Sequence, residues 1–121
     1  MNNEISNLAT QVRINILHMV YKASASHIGS CYSITDILAV LFGSVMNLDS
    51  NYPQKKNRDR FILSKGHAGA AVYSILAEMN FIDRTESEDY GANGSLLMTH
   101  INHKVNGVEF STGSLGHGLP F

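Results

Sequence analysis

Four of the six histidines in this sequence lie in or beside loops rich in glycine and other small residues. They are His27 in "SHIGS", His67 in "SKGHAGAA", His100 in "MTHINH" and His117 in "GSLGHG". Histidine titrates near neutral pH and is a common metal ligand, so these side chains can move protons or hold a cation. His18 stands alone in the middle of a predicted helix, where a histidine is expected to be structural or exposed.

The position of His67 is suited to contact with phosphate. It follows a short apolar run and precedes a helix that opens with Ala68, Gly69 and Ala70. The first turn of a helix presents free backbone N–H groups and a partial positive charge, and both attract anions. The spacing alone favours a simpler interpretation, in which Gly66 makes a turn and the alanines pack against a neighbouring helix.

His100 and His103 form an H-x-x-H pair, which suggests a different kind of site. Histidines three residues apart can share one face of a helix and bind zinc. The sequence has no HExxH or CxxC motif to accompany them, and its one cysteine is Cys31. A small metal-binding protein is therefore kept only as an alternative. The final "GSLGHG" matches neither G-x-G-x-x-G nor a P-loop and predicts a Gly-rich turn.

Helices predicted from the hydrophobic spacing must position these loops. Residues 4–23 predict an amphipathic helix, and a second helix is expected to begin at the capping pair Ser33 and Asp36. "NLDSNYPQKKNRDR" predicts a surface loop, "RFILS" a short buried strand and "KGHAGAAVYSILAEMNF" a helix. A capping box at 85–88 predicts a short acidic helix, and the chain from Tyr90 onward predicts an ordered loop.

The composition is that of an ordinary globular domain, with 121 residues, 44% hydrophobic, 16% charged and a net charge of −1. No extended basic face is present, which argues against nucleic acid as the main partner. No apolar run approaches the ~20 residues that span a bilayer, so no membrane partner is expected. Cys31 cannot form an internal disulfide and the N-terminus has no signal-peptide pattern, so a cytoplasmic location is expected.

Four segments that cover nearly the whole chain occur in an order that is specific in combination. They are "ASASHIGS", "SITDILAVLF", "NRDRFILSKGHAGAAVYSILAE" and "THINHKVNGVEFSTGSLGHG". In this order they resemble the N-terminal region of transketolase, and most of all the N-terminal subunit of split transketolases. The resemblance implies an α/β fold, the beginning of a three-layer α/β/α thiamine-diphosphate-binding domain. This part of it is expected to be mostly helical, with one or two short strands.

The same resemblance implies a chemistry, in which thiamine diphosphate carries a two-carbon ketol unit from a ketose to an aldose. By position, His27 and His100 match family histidines that contact the sugar. His67 matches the histidine beside the diphosphate and the reaction centre, and Gly113 and Leu115 match backbone positions that line the cofactor. Histidines suit these places because sugar hydroxyls must exchange protons near neutral pH.

Some positions depart from the family pattern. Ile28 follows His27, where many members have proline, and Ile101 follows His100. These changes imply an altered range of sugars. His117 stands where members often have glutamine, and no role is assigned to it.

The resemblance also implies what must complete the site. The family's magnesium motif, Gly-Asp-Gly followed by Asn, is expected beyond Phe121, so residues 1–121 are expected to be an incomplete domain, inactive alone and without metal ligands of its own. The expected partners are sugar or sugar-phosphate substrates and a C-terminal transketolase subunit, in a homodimer or heterotetramer. The alternative is a non-catalytic remnant or a binding module that keeps only the start of the fold.

Overall fold

A computed structural model of the chain describes residues 3–113 and 115–119. Its elements are, in chain order, α1 (Asn3–Lys22), α2 (Ile28–Tyr32), α3 (Thr35–Val40), a π-helical turn (Leu41–Val45), a 3₁₀ turn (Gly66–Ala68), α4 (Gly69–Glu78) and a 3₁₀ helix (Arg84–Asp89). The predicted helices are therefore present, and the second of them continues from α3 through the π-helical turn.

Helix α1 is amphipathic and packs against α3 and α4. Its buried residues recur at helical spacing and form one face: Ala9, Val12, Ile16, Met19 and Val20. The opposite face is polar, and the observed ends lie within one residue of the predicted ones. Within the described ranges, no helix combines the length and the apolar character needed to cross a membrane.

Helix α4 lies at the centre of the molecule, because every residue from Gly69 to Ala77 is buried. Helices α1, α2 and α3 all contact it. The small residues at its start permit close packing, since a Cβ atom on Gly69 would lie 3.0 Å from the backbone nitrogen of Ile101. Ala68, Ala70 and Ala71 are fully buried, which agrees with the simpler interpretation that the alanines pack against neighbouring elements.

The strand predicted for "RFILS", residues 60–64, is absent, and no residue in 3–113 or 115–119 forms a strand. A strand satisfies its backbone only by pairing with a neighbouring strand, and no partner lies among these residues. A side chain anchors the segment instead, because the Thr112 hydroxyl donates a hydrogen bond to the carbonyl of buried Leu63. Among the described residues, the prediction of one or two short strands is therefore wrong.

Both predicted capping pairs are displaced. Ser33 ends α2 rather than opening the next helix, and Asp36 instead forms an ion pair with α1 at 2.5 Å. The 3₁₀ helix is capped by Asp83, whose carboxylate accepts a hydrogen bond from the Thr85 N–H at 2.8 Å. The Glu86 carboxylate accepts one from the Asp83 N–H at 3.1 Å. The capping box therefore begins two residues before the predicted position.

The chain after the 3₁₀ helix is an ordered loop, as predicted. Its described part has no helix or strand, but buried side chains attach it to the core at Leu97, Ile101 and Val105. This loop brings residues that are distant in sequence to the beginning of α4.

Candidate functional site

Three histidines from three separate loops lie together on one side of the molecule. The ring centroids of His27 and His67 are 5.1 Å apart, those of His27 and His100 are 5.7 Å apart, and those of His67 and His100 are 6.4 Å apart. With Leu115 they line one open cavity of about 380 Å³, a volume in the range of ligand pockets. The structure thus brings together four of the five residues predicted for the site.

His27 occupies an unusual backbone conformation immediately before α2. Its φ is 75°, in the left-handed region that residues other than glycine rarely adopt. The following helix is fixed by Lys65, whose Nζ donates hydrogen bonds to the Ser30 carbonyl and the Ser33 hydroxyl, both at 2.7 Å. Because Lys65 lies two residues before His67, these bonds couple the two histidine-bearing segments.

The turn that carries His67 is closed by backbone contacts to the end of the loop. The Gly66 N–H donates to the Gly113 carbonyl at 2.9 Å, so Gly113, the fifth predicted residue, lies beside the turn. A Cβ atom on Gly66 would come within 1.8 Å of the Thr112 carbonyl oxygen, so only glycine fits. The Ala68 N–H also has a backbone acceptor. Both N–H groups therefore already have hydrogen-bond acceptors within the chain. The group of this turn that faces the cavity is the His67 imidazole.

The pKa of the His67 imidazole is lowered. Burial of the ring is the largest cause, and the positive charges of His27, Lys65 and His100 add to it in that order. A lowered pKa keeps the ring neutral at pH 7, so it can accept a proton or share a hydrogen bond with a bound hydroxyl.

The loop that carries His100 is held against α4. The Ile101 N–H donates to the Gly66 carbonyl at 2.9 Å. The Tyr73 hydroxyl donates to the His100 carbonyl at 3.1 Å and accepts from the Asn102 N–H at 2.9 Å. Sequence reasoning missed both Lys65 and Tyr73. The sequence did contain one indication for Tyr73, because a tyrosine on the buried face of a helix requires a hydrogen-bond partner for its hydroxyl.

The remaining histidines lie outside the three-ring cluster. His103 Nδ1 lies 2.7 Å from the Ser111 hydroxyl. Residues 100–103 are not helical, so His100 and His103 do not share the face of a helix. His117 Nδ1 accepts a hydrogen bond from the Gly113 N–H at 3.3 Å. No group of three or more His, Cys, Asp or Glu in the described part of the chain is arranged to hold a metal ion. Ser114, Pro120 and Phe121 of the Gly-rich ending lie outside that part.

Comparisons with known proteins identify relatives of the chain. Residues 5–120 match the family model described as "Transketolase, thiamine diphosphate binding domain". Over 107 residues the chain is 40% identical to one subunit of the apulose-4-phosphate transketolase of Phocaeicola vulgatus, and the match covers 88% of this chain and 38% of that protein. Over 117 residues it is 32% identical to SqwG, a 6-deoxy-6-sulfo-D-fructose transketolase subunit of a Clostridium species, and the match covers 96% of this chain and 42% of that protein.

A solved transketolase structure shares the fold of this chain. Transketolase from Campylobacter jejuni matches with a TM-score of 0.88 and 32% identity, over 98% of this chain and 19% of that one. The chain thus spans less than half the length of each of these relatives. The predicted α/β class is confirmed, and the described residues form a mostly helical portion of that fold. Because the match to the family model extends from residue 5 to residue 120, the chain belongs to the transketolase family of thiamine diphosphate binding domains.

Proposed function

We propose that this chain is the N-terminal part of an enzyme that transfers a two-carbon ketol unit from a ketose to an aldose with thiamine diphosphate. The observation that supports this most strongly is the meeting of His27, His67 and His100 around one cavity with Leu115. Residues from three separate segments of the sequence converge there, as a site for a polyhydroxylated substrate requires.

The cavity is suited to an organic cofactor and a sugar. Imidazole rings can donate and accept hydrogen bonds with hydroxyl groups, and the apolar side chain of Leu115 offers a surface for an uncharged ring. When bound, thiamine diphosphate supplies the carbanion chemistry that breaks and forms the carbon–carbon bond. The protein's task is to bind and orient the sugar and to move its protons.

Each site residue has a proposed role. His27 and His100 are exposed at the cavity, where they would hold the hydroxyl and carbonyl groups of the sugar. His67 is half-buried between them, and its lowered pKa suits a group that accepts a proton near neutral pH. Gly113 and Leu115 would line the cofactor, with Gly113 held against the His67 turn by the Gly66 hydrogen bond.

Magnesium and a second chain would complete the site. Mg²⁺ prefers oxygen ligands and usually reaches a diphosphate through carboxylates, and no group of three or more His, Cys, Asp or Glu among the described residues could hold a metal ion. We therefore propose that residues 1–121 are one part of a larger domain, with the metal ligands supplied from elsewhere. Two relatives are named as subunits of transketolases, which supports a partner of the same kind, a C-terminal transketolase subunit, in a homodimer or heterotetramer.

The 121 residues alone are proposed to be inactive, since the described ranges contain no group of three or more His, Cys, Asp or Glu that could hold the metal for the diphosphate. We place the assembled protein in the reducing cytoplasm, a location supported by a single buried cysteine, Cys31.

Its substrates are proposed to be sugars or sugar phosphates, and the isoleucines after His27 and His100 would adjust which sugars are accepted.

The proposed function is tested by assay of the chain with and without a C-terminal transketolase subunit. Thiamine diphosphate, Mg²⁺, ketose donors and aldose acceptors would be supplied, both with and without phosphate groups, and the shortened and lengthened sugars measured. We expect transfer only from the complete assembly. His67→Ala is expected to lower kcat at least about 100-fold, as loss of a proton-transferring group does.

The control is His103→Ala, because His103 bonds to Ser111 outside the cavity, and it should retain nearly full activity. Thiamine diphosphate binding without any transfer would favour the non-catalytic alternative. Transfer by the 121 residues alone would contradict the proposed need for a partner, and equal losses in both variants would contradict the proposed site.

A further inference from the structure

A buried tyrosine connects two of the three histidine segments. Tyr73 lies in the middle of α4 with none of its surface exposed, and its hydroxyl meets the His100 loop. The hydroxyl donates to the His100 carbonyl and accepts from the Asn102 N–H. One oxygen atom therefore fixes the backbone on both sides of Ile101.

We propose that Tyr73 is a positioning residue, whose hydroxyl sets the place of the His100 imidazole relative to His67. The proposal rests on the proposed function, in which His100 contacts the sugar. Helix α4 begins at the turn that carries His67, so a bond from α4 to the His100 loop fixes both rings against one rigid element. A second attachment of this loop to the turn before α4 is the hydrogen bond that the Ile101 N–H donates to the Gly66 carbonyl.

A phenol is suited to this place because one oxygen can donate and accept at the same time. Burial raises the pKa of the Tyr73 hydroxyl well above its ordinary value, so the hydroxyl keeps the proton that it donates to the His100 carbonyl. The ring is held in place by an edge contact with the ring of Tyr90, whose centroid is 6.3 Å away. Both the position and the protonation of the hydroxyl are therefore fixed.

Loss of the hydroxyl would release the loop without removing the ring. In Tyr73→Phe, the Asn102 N–H and the His100 carbonyl lose a shared partner in a region where Ile101 and Asn102 are almost fully buried. Buried backbone groups without partners are unfavourable, so the loop is expected to shift or open until water reaches them. The His100 imidazole would move with it.

The first test is nuclear magnetic resonance of the chain and of Tyr73→Phe. In the variant, hydrogen exchange of the Asn102 N–H is expected to be about 10-fold faster or more. The imidazole resonances of His100 should shift or broaden, while those of His18, exposed on α1, stay unchanged. Tyr90→Phe is the matched control, since it removes a hydroxyl from the neighbouring buried ring and leaves both Tyr73 hydrogen bonds intact.

Unchanged Asn102 exchange and unchanged His100 resonances in Tyr73→Phe would overturn the proposal. Equal changes in Tyr90→Phe would also overturn it, since they would show a general effect of core packing. If Tyr73→Phe does not fold, a measurement on the unmodified protein tests the proposal instead. A slowly exchanging Tyr73 hydroxyl proton with a nuclear Overhauser effect to the Asn102 N–H is expected, and its absence contradicts the proposal.

The second test uses the complete assembly and separates binding from chemistry. Tyr73→Phe is expected to raise the KM for the sugar about 10-fold, with unchanged affinity for thiamine diphosphate, because one of the two sugar-contacting histidines, His100, is displaced while the residues that line the cofactor stay in place. Lost activity with unmoved His100 resonances would contradict positioning. Failure of the proposed function itself is recognised separately, since the unmodified assembly would then be inactive whatever the magnetic resonance result.

Discussion

His67 shows how burial and neighbouring charges together set the pKa of a single ring. Its pKa is lowered first by burial, then by His27, Lys65 and His100. The folded pKa lies below that of the unfolded chain, so protonation favours unfolding. The contribution of His67 to stability is therefore present at neutral pH and lost as the pH falls through the folded pKa.

Removal of the largest charge contribution should reverse part of this shift. In His27→Gln, the pKa of His67 is expected to rise toward its ordinary value of 6.5, because the ring no longer faces a second imidazole that can become positive. The measurement is a proton magnetic resonance titration of the His67 ring. His18→Gln, on the exposed side of α1, should leave that pKa unchanged. A His67 pKa that stays the same or falls in His27→Gln would show that His27 does not influence the ring.

At this scale the sequence identified the histidines but not the residues that hold them. His27 and His67 stand among glycine and other small residues, and the resemblance to transketolase matched all three of His27, His67 and His100 to the site. Lys65 and Tyr73 act through contacts with residues 30–33 and 100–102, which are about 30 positions away. Nothing in the local pattern around either residue specifies such a distant partner, so only the folded chain reveals it.

At the scale of elements, a buried ion pair joins the loop before α4 to the chain that follows it. Arg58 contacts both carboxylate oxygens of Glu109, one of them at 3.1 Å. The side chains are only 12% and 14% exposed. The Glu109 hydrogen bond is the largest cause of the raised Arg58 pKa. Truncation of one partner in such a pair leaves the other charge poorly solvated.

Glu109→Gln is therefore expected to lower the free energy of unfolding by about 2–3 kcal/mol, because Arg58 remains charged without its carboxylate. The measurement is urea unfolding followed by circular dichroism. The matched control is Asp36→Asn, which breaks the Arg13–Asp36 pair, where the side chains are 36% and 60% exposed. Exposed pairs contribute less than about 1 kcal/mol. Equal losses in the two variants would show that burial of the Arg58 pair has no special effect.

Helices were predictable from the sequence, whereas caps and strands were not. The spacing of Val12, Ile16 and Met19 was sufficient for α1, because helical periodicity is a local property. The capping box was placed two residues late, since Asp83 and Thr85 both have suitable side chains and the local pattern does not choose between them. The segment "RFILS" has the composition of a strand, but strand formation depends on a neighbour that is remote in sequence.

At the scale of the whole molecule, one core connects the helices to the loop that carries His100. One cluster of buried residues includes Ile16 on α1, Leu38 on α3, Ile75 on α4 and Ile101 beside His100. Separate elements that share one core are expected to unfold together, as small single domains usually do. The histidine site is therefore expected to have the stability of the whole molecule.

A substitution far from the site tests this directly. Ile16 has no exposed surface, so Ile16→Ala should lower the free energy of unfolding by about 2–4 kcal/mol through lost burial and a residual cavity. In urea titrations, the midpoint reported by helical circular dichroism and the midpoint reported by the His100 imidazole resonance should both fall, and by the same amount. Leu17→Ala on the same helix is the control. Its side chain is 52% exposed, so the expected loss is below about 1 kcal/mol. A His100 midpoint that stays fixed while the helical midpoint falls would show that the site loop is stabilised independently of the core.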